Sequence, residues 1–435
     1  MAHTTQSLTP FDAAAILIVL AASLGYINHR FLKLPSSVGL TIMGAISSLI
    51  VIALDRMMPS SGLSQMVVRF LASIDFQTTL MDGMLSFLLF AGALHVDWAE
   101  MRRGRLPILV LSTVGVLLST AIVGGGFWWL SSLFGVSVPL SWCLVFGALI
   151  SPTDPVAVMA VLQRAAVPPT LRAVVAGESL FNDGVGVVVF SILLASALGA
   201  QSFSVGRASV VFIQEAGGGA LLGLVVGWIA FRAMRSIDEY SVEVLITLAV
   251  VMGGYSLAHW IHVSGPVAMA VAGLIIGNHG MAFAMSDVTR DYLVKFWVVI
   301  DEILNAVLFL LIGLEVIAIA PSGRILVIGA LCVLLVLIAR FVSVVVPLAA
   351  MRPFFSLGSL GTPTLVWGGL RGGISIALAL ALPESAVRTT ILSATYAVVM
   401  FAVIVQGGTV GLLIKRLTNT PSDSLTPAGG AHAKH

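Results

Sequence analysis

The amino-acid sequence predicts an all-α polytopic membrane protein, with about thirteen transmembrane helices in two six-helix inverted repeats joined by a linker helix. Three observations predict it. Apolar residues make up 58% of the 435-residue chain and charged residues only 10%, where a soluble domain carries about 25% charge. Runs of about 20 apolar residues, each long enough to cross a bilayer as a helix, follow one another along nearly the whole length. Two of these runs are interrupted by proline and glycine at matching places in the two halves. The sequence lacks the alternating, barrel-length segments of a transmembrane β-barrel, which excludes that class.

The expected spans are 11–28, 37–54, 79–96, 106–134, 139–162, 171–199, 210–231, 241–260, 264–278, 296–319, 325–350, 362–382 and 389–414. They make one membrane transport domain over 1–417, with a first repeat at 11–199, a linker helix at 210–235 and a second repeat at 241–414. Residues 418–435, rich in Ala, Gly, Pro and Ser, are expected to form a short disordered tail. The first ten residues hold no Lys or Arg, and Arg30 and Lys33 follow the first span. That order favours an uncleaved first helix over a signal peptide.

Sorting the 22 Lys and Arg residues into alternate loops puts fifteen on one side, among them Lys33, Arg164, Arg172 and Lys415, and five on the other. Arg340 and Arg371 remain within the membrane. Positive charge is retained on the cytoplasmic face, so the N-terminus is expected outside and the C-terminus inside, in the plasma (inner) membrane. The formal net charge of +2 is scattered over short loops, which excludes a nucleic-acid surface. Cys143 and Cys332 both lie in apolar runs and read as buried thiols with no disulfide or metal framework.

The fifth span is broken by Ser151-Pro152-Thr153-Asp154-Pro155 and the twelfth by Trp367-Gly368-Gly369-Leu370-Arg371-Gly372-Gly373. Proline removes backbone donors and glycine loosens a helix, so each centre is expected to unwind, which a membrane tolerates only around a polar cavity. Broken helices at corresponding positions of two halves point to a secondary transporter with a midplane binding site.

The sixth span carries the chemistry, in Gly177-Glu178-Ser179-Leu180-Phe181-Asn182-Asp183-Gly184. An ionisable group at that depth is costly and functional by default. Ser179 and Asp183, four residues apart, share a helix face. Together with oxygens of Thr153 and Asp154 they make a candidate site for a hard monovalent cation. A proton and a cation then compete for the Asp183 carboxylate, and that competition is exchange. Asn182 supplies an amide where a second acid would otherwise titrate, so one-for-one, electroneutral exchange is expected.

Glu178 and Arg340 are expected to form a structural salt bridge, with Arg371 balancing helix ends and Asp154. Asp301, Glu302, Glu215 and Glu243 are more charged than lipid permits, and either line a funnel or pair locally near the interface. Gly219, Gly223 and Gly227 recur at four-residue spacing and are expected to pack a helix within the protomer.

Glu178-Ser179-Leu180-Phe181-Asn182-Asp183, the Thr153-Asp154-Pro155 break, Asn305 with Phe309-Leu310-Leu311-Ile312-Gly313-Leu314-Glu315, and Gly369-Leu370-Arg371-Gly372-Gly373 resemble the monovalent cation/proton antiporter-1 family of sodium/proton exchangers. The resemblance, in order over the membrane domain, implies the sodium/proton antiporter fold. It also implies a homodimer in the lipid bilayer, with a mobile core moving like an elevator against a dimerisation domain. It makes Asp183, Asn182, Ser179, Asp154 and Thr153 ion-site residues, with Asp183, Ser179 and Thr153 around Na+, and Glu178 with Arg340 the structural pair. No cofactor beyond the transported cation and proton is implied, and no enzymatic activity. Family members often carry a glutamate in the third helix where this chain has Ala91, so potassium/proton exchange is the runner-up. A cation channel is a further alternative, against which paired broken helices argue for alternating access.

Overall fold

The computed structural model describes residues 9–58, 62–74, 78–165, 167–199, 204–318, 323–353 and 355–419. Its first half contains α1 (Phe11–Leu32), α2 (Ser36–Met57), α3 (Leu63–Ser73), α4 (Thr79–Leu94), α5 (Trp98–Arg103), α6 (Arg105–Leu133), α7 (Leu140–Ile150), α8 (Val156–Leu162) and α9 (Pro169–Ala197). Then come α10 (Val205–Met234), α11 (Tyr240–Trp260), α12 (Gly265–Ile275), α13 (Asp287–Leu314), α14 (Gly323–Met351), α15 (Gly358–Trp367), α16 (Gly373–Leu380) and α17 (Ala386–Thr418). Each expected span has its helical counterpart. Among the described residues, nine helices are by themselves long and apolar enough to cross a membrane. α7 with α8, and α15 with α16, are the two halves of the broken spans.

Helix starts follow local chemistry. The Ser286 hydroxyl accepts the Thr289 N–H at 3.3 Å and caps α13, which explains why that helix begins at Asp287, ahead of the apolar run expected from 296. Its first turns are polar, with Asp291 accepting from Lys295, and lie outside any apolar pattern. Ser385 caps α17 in the same way, accepting from Arg388 at 3.1 Å. Two short helices, α3 and α5, had no counterpart in the expected spans. Asp97 starts α5 by accepting the N–H groups of Ala99 and Glu100. At the other end of the chain the last helix continues through Asn419, and the rest of the expected tail lies outside the described residues.

Small residues set the helix crossings. A Cβ on Gly44 of α2 would lie 2.9 Å from the Leu310 carbonyl of α13, and one on Gly313 would collide with the Thr41 carbonyl. At this crossing the Thr41 hydroxyl donates to Phe309 O at 3.1 Å and the Ser48 hydroxyl to Leu314 O at 2.7 Å. Gly219, Gly223 and Gly227 of α10 lie against Ser264, Ala268 and Ala272, at and along α12. That seam is inside the protomer. Phe127 and Phe146 pack between α6 and α7 with ring centroids 4.5 Å apart.

Candidate functional site

α7 stops at Ile150, two residues before Pro152, whose ring nitrogen has no proton to give. The chain is unwound from Ser151 to Pro155 and resumes as α8 at Val156. Opposite it, α15 stops at Trp367 and α16 begins at Gly373. The two unwound segments touch through their backbones, where Asp154 N–H donates to Leu370 O at 2.9 Å in an isolated antiparallel bridge. Glycine is required for this approach. A Cβ on Gly372 would lie 2.6 Å from Asp154 Oδ2, and one on Gly369 would overlap the Arg340 guanidinium.

Breaking a helix at membrane depth exposes carbonyls at one end and N–H groups at the other, each partly charged. Here opposite charges meet them. The Arg371 guanidinium donates to the carbonyls of Ser151 and Pro152, just beyond the last turn of α7, the Pro152 bond measuring 3.0 Å. Asp154 Oδ1 accepts Val156 N–H at 2.9 Å, at the start of α8. Near the end of α15, Arg340 Nε and Nη2 donate to Leu365 O at 3.1 and 2.8 Å, and Gln406 donates to Trp367 O at 3.2 Å.

Arg340 also holds Glu178 of α9 in a two-point contact, Nη1 to Oε1 at 2.6 Å and Nη2 to Oε2 at 2.8 Å. Both side chains are buried. Such a paired, doubly bonded geometry is what lets a buried ion pair recover its desolvation cost. One turn further along α9, Asn182 clasps Thr153 from both ends. Its Oδ1 accepts Thr153 N–H at 3.2 Å and its Nδ2 donates to Thr153 Oγ1 at 2.6 Å. The Ser179 hydroxyl lies 3.0 Å from Thr153 Oγ1. Gly186 lets Pro152 sit directly on α9.

A cavity of about 1790 Å³ opens beside this crossing. Thr153, Asp154 and Asp183 line it, together with Asp301, Glu302 and Asn305 of α13. Its lining also includes Lys33, Arg164, Arg172 and Lys415, four residues of the basic side of the sequence. Asp183 is buried, and its Oδ1 has no hydrogen-bond partner among the described residues. Asp154 and Glu178 are the carboxylates close enough to act on its charge. Asn182 and Ser179 do not line the cavity. They stand behind Thr153 and orient its hydroxyl. Asp301 and Glu302 take the funnel position, whereas Glu215 and Glu243 are not in the cavity wall.

Ser375 escaped the sequence reading. It lies in the first turn of α16, two residues past Gly373, and its buried hydroxyl lines the cavity without a partner among the described residues. The signal available was weak: one hydroxyl in an apolar run ordinarily bonds its own helix. Among the described residues no group of three or more His, Cys, Asp or Glu could hold a metal ion. Carboxylate, hydroxyl and unwound carbonyl oxygens suit a hard monovalent cation instead.

The family described as sodium/hydrogen exchanger, transmembrane, matches residues 18–416. The Na(+)/H(+) antiporter NhaP of Pseudomonas aeruginosa is 45% identical over 426 residues, covering 97% of this chain and 100% of that one. The Na(+)/H(+) antiporter NhaH of Halobacillus dabanensis is 33% identical over 408 residues, covering 92% and 97%. In three dimensions the chain resembles the sodium proton antiporter MjNhaP1 of Methanocaldococcus jannaschii, with a TM-score of 0.74, 20% identity, and coverage of 94% and 99%. The matched length and the shared helical architecture leave one assignment: this chain belongs to the sodium/hydrogen exchanger family.

Proposed function

We propose that this protein is a secondary antiporter that exchanges a monovalent cation, Na+ or Li+, for H+, with Asp183 carrying both in turn. The observation that carries the reading is the unpartnered Oδ1 of Asp183 beside a cavity of about 1790 Å³. A buried carboxylate with no donor gains from binding either a proton or a cation, and cannot hold both. Thr153 Oγ1 and Asp154 supply neighbouring oxygens, while Ser179 and Asn182 fix the direction in which the Thr153 hydroxyl points. That two relatives are Na(+)/H(+) antiporters supports sodium as the cation.

Exchange is one-for-one and electroneutral in this reading. Asn182 is committed to Thr153 through both ends of its amide, so position 182 contributes no titrating group. The N-terminus lies outside and the C-terminus in the cytoplasm of an inner membrane. The cavity, with Lys33, Arg164, Arg172 and Lys415 in its wall, then faces the cytoplasm. Transport proceeds by an elevator-type movement of the crossed helices against α2 and α13, in a homodimer. Ala91, which lines the cavity where a carboxylate would add a further ligand, favours a second reading in which K+ replaces Na+.

The test is dequenching of a pH-sensitive dye in everted vesicles on separate addition of Na+, Li+ or K+. Dequenching by Na+ or Li+ is expected, and its absence in Asp183→Asn. Retained exchange in that variant overturns the role of Asp183. An imposed membrane potential is expected to leave the rate unchanged, since a one-for-one cycle does not respond to the roughly 2.3 kcal/mol per charge that 100 mV supplies.

A further inference from the structure

The wall of the cavity facing Asp154 carries polar groups that the Asp183 site does not use. Asp301 and Asn305 stand one turn apart on α13, on the same helix face, and both line the cavity. Asp154 and Glu302 are charges close enough to act on Asp301, the Asn305 side chain lies against its carboxylate, and no cation is paired with it among the described residues. Asn305 is 7% exposed, and its Nδ2, beside Asp301, completes no well-formed hydrogen bond among the described residues. Ser375, 1% exposed, has an unpartnered Oγ. α13 and α16 are in contact here, since Leu308, three residues after Asn305, sits on Gly373, two residues before Ser375.

A buried amide nitrogen without a well-formed bond and a buried hydroxyl with none each cost free energy unless something in the cavity completes them. Asn305 next to the Asp301 carboxylate, with Ser375 on the adjoining wall of the same cavity, describes a half-built oxygen shell. Turned over, the Asn305 amide exchanges its Nδ2 contact with Asp301 for an Oδ1 presented to the same space.

We propose that Asp301, Asn305 and Ser375 form a second binding station for the monovalent cation, on the α13 side of the cavity, which captures the ion before it passes to Asp183. This rests on the antiport reading for its purpose, but not for its existence. A carboxylate at Asp301 supplies the charge, the Asn305 and Ser375 oxygens supply direction, and water completes the shell. Asp154, facing both Asp301 and Asp183, is the acid shared by the two stations.

Equilibrium binding of radioactive Na+ to purified protein in detergent separates the stations. Asp183→Asn is expected to retain saturable Na+ binding, and Asp183→Asn with Asp301→Asn to lose it. In transport, Asp301→Asn and Ser375→Ala are each expected to raise the half-saturating Na+ concentration about tenfold, the loss of one good ligand, with the maximal rate largely kept. Asp301→Glu is expected to recover most of the affinity. A flat binding curve for Asp183→Asn, in monodisperse protein, overturns the second station. So does an unchanged half-saturating concentration in both Asp301→Asn and Ser375→Ala. Na+ binding by the natural protein without any exchange would instead overturn the antiport reading and leave the station standing.

Discussion

The main-chain N–H of Asp154 donates to the carbonyl of Leu370 at 2.9 Å, so the two interrupted helices are joined backbone to backbone at their unwound centres. The contact brings Asp154 against Gly372 and carries Arg371 to the end of α7. One hydrogen bond thus sets the register in which charges meet helix ends.

Gly372→Ala tests that register. The added methyl would lie 2.6 Å from Asp154 Oδ2 and 2.8 Å from Asp154 Cβ, and relieving it costs about 1–3 kcal/mol. Exchange in everted vesicles is expected to fall steeply, with the melting temperature in detergent lowered modestly. Full activity in this variant would mean that Asp154 does not need its observed position.

The Glu178–Arg340 pair bears on stability. Arg340→Met leaves a buried carboxylate without its partner, a loss of about 3–5 kcal/mol. Adding Glu178→Met removes the stranded charge and is expected to raise the melting temperature again. A single variant as stable as the natural protein contradicts the structural role.

Asn182→Ala and Ser179→Ala act on Thr153 to different degrees. The first removes both the acceptor of Thr153 N–H and the donor to Thr153 Oγ1, leaving a buried amide unpaired at a cost of about 1–3 kcal/mol. The second leaves the Asn182 clasp in place. Titrating exchange against cation concentration is therefore expected to show a larger loss of affinity for Asn182→Ala.

Gly313→Ala places a methyl against the Thr41 carbonyl, where α2 and α13 cross. Overpacking of about 1–3 kcal/mol is expected, read as a lower melting temperature. The half-saturating cation concentration of the folded fraction should stay as in the natural protein, because neither residue lines the cavity.

The architecture was legible where covalent chemistry dictates it. Pro152 and Pro155 lack donors and Gly368, Gly369, Gly372 and Gly373 lack side chains, so two breaks were readable from composition alone. Glu178 and Arg340 could be matched because two opposite charges at membrane depth need each other. What could not be read was direction. Ser179 shares a helix face with Asp183, yet its hydroxyl bonds to Thr153 and does not reach the cavity, since the crossing fixes which side of α9 meets the break. The position of Ser375 depends on the same crossing. α3 and α5 were missed because they are short, and a strip of apolar residues alternating with Gln65 and Arg69, or with Glu100 and Arg103, does not stand out in a span search.

The bonds around the crossing have a mechanical meaning. Asp154 to Leu370, Arg371 to Ser151 and Pro152, Arg340 to Glu178 and Leu365, and Asn182 to Thr153 each tie together different stretches of chain. α7, α8, α9, α14, α15 and α16 are therefore braced like a truss, in which no strut shifts without breaking a hydrogen bond, and those of Arg340 and Arg371 are charge-assisted. The contact of α13 with α16 is of another kind, the greasy end of Leu308 resting on a bare Gly373. Among the described residues no hydrogen bond ties α13 to α16 across that seam, so the braced group meets α13 there through packing alone.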